Sequence, residues 1–223
     1  VYDEFMRKFI PTVEAITVGP VEKHENYMGP VINESAYNSI LEYIKIGKSE
    51  GTCVCGGEPA SGNGWFIRPT VITDIEARHR IFQEEIFGPV LAVTRARNYD
   101  HAIELANDTE YGLTGAVYSR NKKKIERAKR EVHVGNLYLN RKCTGALVGI
   151  QPFGGFNMSG TDSKAGGPDY LLLFQQAKSL TEYVGKTKKT KKRTASRKNT
   201  ARKSTKKHSK KKPVRKATRP RRK

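Results

Sequence analysis

The last 38 residues limit what the rest of the chain can do: from Lys186 to Lys223 there are 21 Lys or Arg and no Asp, Glu, Phe, Tyr or Trp. Such a stretch has no apolar contacts to offset the entropy lost on ordering its backbone, so a disordered basic tail is expected over 186–223. A core must come from residues 1 to 185, enough for one globular unit built on Trp65 and many Tyr, Phe, Ile, Leu and Val residues. The formal charge of +20 belongs to the tail too. Of the 42 Lys and Arg residues 21 lie beyond residue 185, which leaves 21 basic against 22 acidic residues in the body.

Cys53, Cys55 and Cys143 are odd in number and lack the spacing of a disulfide framework, so a reducing, cytoplasmic setting is expected. No apolar run nears the roughly 18 residues a bilayer requires. The first residues lack the charged-then-apolar layout of a signal peptide, and the chain begins on Val1, which leaves open a targeting segment upstream.

Val1, Phe5 and Phe9, with Met6 and Ile10 beside them, repeat at helical spacing, and Pro11 predicts the stop. A second helix is expected from about Glu34, with Tyr37, Ile40, Leu41 and Ile44 on one face, to Gly51. Strands are predicted at Trp65 to Ile72, Leu91 to Thr94, Gly115 to Tyr118 and Gly135 to Asn140. Between them Asn98 and Asn121 stand where helix caps belong. Strands alternating with helices define an α/β class, with a mainly parallel sheet carrying helices on both faces and ligands at the strand ends.

The most informative run is Gln83-Glu84-Glu85-Ile86-Phe87-Gly88-Pro89-Val90. Glu85 and Phe87 sit two apart, so in an extended stretch both side chains point the same way. A carboxylate there can accept hydrogen bonds from ribose hydroxyls, and an aromatic beside it can confine a nicotinamide ring. By itself the Glu-Glu pair also reads as a solvated surface before a strand. Two other patterns carry less. Gly47-Lys48-Ser49 imitates the end of a P-loop, but Glu42 occupies the place of the leading Gly and the segment falls inside a predicted helix, so a surface position is expected. The five His residues, at 24, 79, 101, 133 and 208, form no zinc-binding pattern, and solvated or capping roles are expected for them.

Met28-Gly29-Pro30-Val31-Ile32, Gly51 through Gly57, Phe66-Ile67-Arg68-Pro69-Thr70-Val71, the Glu84 to Val90 block, Ala106-Asn107 with Tyr111-Gly112-Leu113, and Pro152 to Gly155 occur in the order and spacing of the aldehyde dehydrogenase superfamily. The resemblance spans essentially residues 1 to 184 and implies the C-terminal part of that catalytic domain. It implies NAD as cofactor, with Glu85 as the nicotinamide-ribose ligand, Phe87 as the aromatic beside the nicotinamide, and Glu84 as a less functional neighbour. The stretches Asn140 to Gly149, Gln151 to Gly155 and Ser159 to Tyr170 most closely resemble the L-glutamate γ-semialdehyde (1-pyrroline-5-carboxylate) dehydrogenases. That resemblance implies oxidation of L-glutamate 5-semialdehyde to L-glutamate in proline degradation. It implies that Gly145 and Ala146 hold the substrate α-carboxylate through their backbone and that Phe153 packs on its aliphatic part. Consecutive N–H groups in a Gly-containing loop can indeed form an anion nest.

Such chemistry needs a thiolate nucleophile, oxyanion donors, a hydride acceptor and a base that activates water. The resemblance places the nucleophilic Cys and the general base upstream of Val1. No catalytic residue is therefore expected in this chain, nor a dinucleotide-binding domain, nor activity from the chain alone. Cys53, Cys55 and Cys143 read as structural or incidental, and no metal site is expected.

The divisions expected are 1–168 for the catalytic-domain part, 169–185 for an oligomerisation segment and 186–223 for the Lys/Arg-rich tail. Tyr170 to Gln175 is apolar, Ser179 to Val184 alternates as a strand, and in the family this end pairs with another subunit, so a homo-oligomer is expected. The tail's composition is similar to that of linker-histone-like proteins and suits salt-sensitive, sequence-blind contact with nucleic acid by counterion release. It lacks aromatics for base stacking and apolar anchors for a membrane surface. The rival to the dehydrogenase reading is a non-catalytic nucleic-acid-associated protein acting through this tail.

Overall fold

A computed structural model describes residues 1–144, 147, 150–160 and 164–185. It divides into two compact units, Val1–Ala177 and Lys178–Lys223.

Helix α1 (Tyr2–Glu14) opens the first unit and sets Met6, Phe9, Ile10 and Val13 against the sheet, where they meet Cys55, Val71 and Val93. It does not stop at Pro11. Pro11 removes one N–H, yet its own carbonyl accepts from Ala15 at 3.1 Å, and the extra turn carries Val13 to 8% exposure. Proline inside a helix costs about 3 kcal/mol, a penalty that burying Val13 offsets in part. Helix α2 (Glu34–Glu50) begins where the sequence predicts, with Asn33 Oδ1 accepting from the Ala36 N–H at 2.8 Å. Its buried face is Ile40, Ile44 and Gly47.

The expected surface position of Gly47 is overturned by that packing. A Cβ there would stand 2.3 Å from Ile81 Cδ1 and 2.4 Å from Ile72 Cδ1, so the glycine permits close approach of helix to sheet. Lys48, next in the chain, donates to the Gly57 carbonyl at 2.6 Å.

Strands β1 (Thr52–Cys55), β2 (Thr70–Thr73) and β3 (Val90–Ala92) form one sheet in that order. β1 and β2 are antiparallel with an irregularity between Cys53 and Cys55, while β2 and β3 are parallel in the register Thr70↔Val90, Val71↔Leu91, Ile72↔Ala92. All four β2 residues are buried, as expected of a central strand. The predicted strand from Trp65 is shorter than the sequence suggested. Pro69 has no N–H for a ladder, and residues before it bond to another segment, Ala60 N–H to the Phe66 carbonyl at 2.9 Å and Arg68 N–H to the Glu58 carbonyl at 3.1 Å. A short helix α3 (Arg80–Gln83) connects β2 to β3.

Helix α4 (Tyr99–Asn107) is capped by Asn98, whose Oδ1 accepts from the His101 N–H at 2.9 Å. β4 (Tyr111–Gly112) leads into β5 (Thr114–Val117), then α5 (Lys122–Glu131), capped by Asn121, then β6 (Asn136–Leu139). β5 and β6 pair in parallel around the α5 crossover, giving a second β-α-β unit beside β2-α3-β3. β7 (Phe156–Asn157) returns antiparallel to β4. The class is α/β as expected, its ladders divided among three small sheets.

A 3-10 helix at Tyr170–Phe174 follows, with Leu171, Leu172, Leu173 and Phe174 all more than half exposed. The strand expected at Ser179 to Val184 is not formed: residues 178–185 carry no regular structure, and Leu180, Tyr183 and Val184 are exposed. Alternation alone does not make a strand, because its N–H and C=O groups need a ladder partner. Among the described residues no helix is long and apolar enough to cross a membrane.

Candidate functional site

The α3–β3 connection presents Glu85 and Phe87. Ile86 between them packs into the apolar clusters of Ile40, Ile44 and Ile67 and of Ile72, Ile75 and Ile81. Its two neighbours are thereby turned outward, Phe87 to 83% exposure. Phe87 does so with φ 54°, a left-handed conformation that costs an aromatic residue on the order of 1 kcal/mol and has to be imposed by its surroundings. Gly88 supplies part of that constraint, since a Cβ there would meet three atoms of Ile40 at 2.6 to 2.8 Å, so the backbone lies directly on α2. Gln83 closes the other side by donating to the carbonyls of Ala77 and Asp108. Both Glu85 and Phe87 are exposed on either side of the half-buried Ile86, but the backbone at Phe87 is not extended, so the alternation expected of an extended stretch does not set their directions.

The adjacent carboxylates differ in what they have left to offer. Glu84 accepts from Arg80 at 2.8 and 2.9 Å and from the Tyr43 hydroxyl at 2.7 Å. The Arg80 guanidinium first, and the Tyr43 hydroxyl second, hold its carboxyl down at about 2, and the same bond pushes the Tyr43 phenol up. Among the described residues no hydrogen bond or ion pair engages Glu85, which is exposed. Glu84 thus ties the connection to α2 through Tyr43, while the Glu85 carboxylate stays unengaged.

The second region surrounds β6. Asn140, at its end, has φ 55° and spans Ser119 with both ends of its carboxamide, accepting from Ser119 N–H at 2.8 Å and donating to its carbonyl at 3.0 Å. This fixes the entrance to the loop holding Gly145 and Ala146, which themselves lie outside the described residues. Phe153 is half-buried and exchanges two backbone hydrogen bonds of 2.9 Å with Ala165. The Asn136 side chain donates to the Pro152 carbonyl at 3.0 Å and accepts from the Gly154 N–H at 3.3 Å. Lys164 donates to the Gly135 carbonyl. Among the described residues no hydrogen bond, ion pair or ring contact joins Phe153 to Glu85 or Phe87, so two separate regions are presented.

The thiols are poor nucleophile candidates. Cys55 is buried, and burial pushes its thiol up. Cys143 is exposed and donates to Thr114 Oγ1 at 3.3 Å, and among the described residues no His, Asp or Glu bonds to it. Among the described residues no three His, Cys, Asp or Glu side chains gather as a metal centre would require. Sequence reasoning missed Tyr43, Arg80, Asn136 and Lys164. Their partners lie 41, 4, 16 to 18 and 29 positions away, and only the Arg80–Glu84 spacing could have been read as a helical pair.

Residues 1–180 match the aldehyde dehydrogenase family, and the chain belongs to it. Its relatives include the 1-pyrroline-5-carboxylate dehydrogenase of Bacillus subtilis, 58% identical over 182 residues that make up 82% of this chain and 35% of the relative. A crystal structure of 1-pyrroline-5-carboxylate dehydrogenase from Thermus with bound NAD superposes with a TM-score of 0.75 at 52% identity, covering 78% of this chain and 33% of that one. Betaine aldehyde dehydrogenase from Staphylococcus aureus, in complex with NAD+, superposes with a TM-score of 0.68 at 35% identity over 74% of this chain and 33% of its own. The chain thus spans about a third of the length of the curated relatives it matches.

Glu84 gives this site a pH signature. Its folded pKa, about 2, lies below the ordinary 4.5, so its contribution to stability is complete above the ordinary value and is lost as pH falls toward 2. In urea titrations over that window, Glu84→Gln is expected to flatten the fall in midpoint expected of the unsubstituted chain; parallel curves for the two would refute the hold of Arg80 and Tyr43 on Glu84.

Proposed function

We propose that this chain forms part of an NAD-dependent L-glutamate 5-semialdehyde dehydrogenase, supplying its nicotinamide-ribose contact and substrate-recognition segments. The observation that carries the reading is the outward pair Glu85 and Phe87, one carboxylate without a partner and one aromatic held at φ 54° and 83% exposure. These residues fit the cofactor: an unengaged carboxylate suits two ribose hydroxyls, and a fixed ring face suits a planar heterocycle. NAD, when bound, accepts the hydride released as the aldehyde carbon is oxidised to a carboxylate with the oxygen of water.

The chain's residues act around that step. Glu85 accepts hydrogen bonds from the ribose hydroxyls, and Phe87 limits the swing of the nicotinamide. Gly145 and Ala146 donate backbone N–H bonds to the substrate α-carboxylate, while Phe153 covers its methylene carbons. Glu84, fully engaged, touches neither ligand. The role of nucleophile falls to none of Cys53, Cys55 and Cys143. Support for the substrate class comes from the run Asn140 to Tyr170 and from the names of the relatives at 58% identity.

The exposed Leu171, Leu172, Leu173 and Phe174 support assembly with a second copy through residues 169–185. Composition supports a second activity for residues 186–223, where 21 positive charges stand with no negative ones: polyanion contact, with nucleic acid as its chemical match.

A hybrid in which this chain replaces the matching 182-residue stretch of the Bacillus subtilis relative is expected to form NADH from L-glutamate 5-semialdehyde, whereas the 223-residue chain alone is not. Glu85→Ala in the hybrid should cost about 10- to 100-fold in kcat/KM for NAD, the worth of hydrogen bonds to a charged group. An inactive hybrid refutes the function, an unchanged NAD dependence refutes the role of Glu85, and activity from the chain alone reinstates Cys143. Light scattering of the intact enzyme should report more than a monomer mass; a monomer would remove the oligomer reading. The chain should bind duplex DNA of any sequence, more weakly as salt rises, and lose that binding on deletion of 186–223. Binding that survived the deletion would exclude the tail as its cause.

A further inference from the structure

Resting on the dehydrogenase reading, we propose that Asn136 is a positioning residue for the aldehyde substrate, setting where the Phe153 ring stands. Asn136 opens β6 and is paired with Thr114 of β5, so its backbone belongs to the parallel ladder. Its carboxamide reaches out of that ladder and takes the two backbone groups flanking Phe153, the Pro152 carbonyl at 3.0 Å and the Gly154 N–H at 3.3 Å. The orientation of the amide is not arbitrary. Exchanging its O and N would set carbonyl against carbonyl and N–H against N–H, so the two partners select one arrangement.

The remaining main-chain groups of Phe153 are taken as well. Its N–H and C=O both pair with Ala165 at 2.9 Å. Gly135 completes the contact. A Cβ there would lie 1.8 Å from the Gly154 carbonyl oxygen and 2.6 Å from Gly155 Cα, so the two backbones touch with no side chain between them. Lys164, beside Ala165, donates to the carbonyl of that same Gly135.

Phe153 therefore keeps its side-chain torsions and little else; its Cα is placed by β6. The other end of β6 is Leu139, and Asn140 immediately after it fixes the entrance to the loop of Gly145 and Ala146. One short strand thus governs the aromatic assigned to the substrate's methylenes and the start of the loop assigned to its carboxylate. Loosening Asn136 should weaken recognition of the aldehyde and leave the Glu85–Phe87 connection, which leads into β3 of another sheet, as it was.

Asn136→Leu removes both bonds at similar volume, and Asn136→Asp keeps the size and the acceptor for Gly154 while setting an oxygen against the Pro152 carbonyl. In the 223-residue chain, amide exchange at Phe153, Gly154 and Ala165 is expected to quicken about tenfold in either variant while the β2–β3 amides hold their rates. In the hybrid enzyme, KM for L-glutamate 5-semialdehyde should rise about tenfold with KM for NAD unchanged. Unaltered exchange at the three amides overturns the proposal, as does an equal loss with both substrates, which would mark Asn136 as merely structural. If Leu prevents folding, the Asp variant decides by the same readings. An unsubstituted hybrid without activity condemns the functional reading alone, since the exchange rates still decide whether Asn136 holds Phe153.

Discussion

Burial of β2 is the constraint on which the N-terminal half of the fold depends. Thr70, Val71, Ile72 and Thr73 are covered on both faces and bonded on both edges, to antiparallel β1 and parallel β3. A strand so placed can have polar side chains only if they find partners. Thr70 Oγ1 does, accepting from the Gly57 N–H at 2.8 Å and donating to the Arg68 carbonyl at 2.9 Å. Ile72, with no exposed surface, joins Ile75 and Ile81, and Phe82, Ile86 and Val90 pack on that cluster. The positions of Glu85 and Phe87 are therefore an outcome of core packing: Ile86 enters the core, and its neighbours must leave it. The strain at Phe87 is thus set against the packing of Ile86, half-buried between the two isoleucine clusters.

The helices that the sequence announced are those with a local signal. Asn33, Asn98 and Asn121 each place a short carbonyl-bearing side chain before an apolar-periodic stretch, and each accepts the expected N–H. Pro11 misled because its signal is also local, whereas the reason the helix continues is Val13 meeting Cys55 and Val71 far along the chain. Ser179 to Val184 misled in the opposite sense. Its alternation is a strand pattern, but no partner within the described residues supplies the ladder. Gly47 was invisible for a third reason, since a glycine in a helix reads as a loss of propensity until the side chains of Ile72 and Ile81 show what it makes room for.

The candidate site divides along the same line. Glu85 and Phe87 were legible from a short run that resembles a family pattern, and Phe153 from another; what holds them was not. Tyr43 reaches Glu84 across 41 positions, and Lys164 reaches Gly135 across 29. Such pairings carry no periodicity and no characteristic spacing, and only the folded chain identifies them. The Glu84–Glu85 pair shows the difference most directly, because one residue type at adjacent positions serves two purposes according to what α2 and α3 place beside it. Arg80 and Tyr43 saturate the first carboxylate, which makes it part of the scaffold, and leave the second without a partner among the described residues.

A division of labour between sheets follows. Glu85 and Phe87 depend on the β1-β2-β3 sheet and α2, while Phe153 depends on β6 and the segment around Ala165. In each region polar side chains pin the chain next to a proposed contact residue: those of Gln83 and Glu84, just before Glu85, reach Ala77, Asp108, Arg80 and Tyr43, and that of Asn136 bonds on both sides of Phe153. At Phe153 the bonding on both sides removes main-chain freedom that binding would otherwise have to remove, which is the energetic basis of preorganisation.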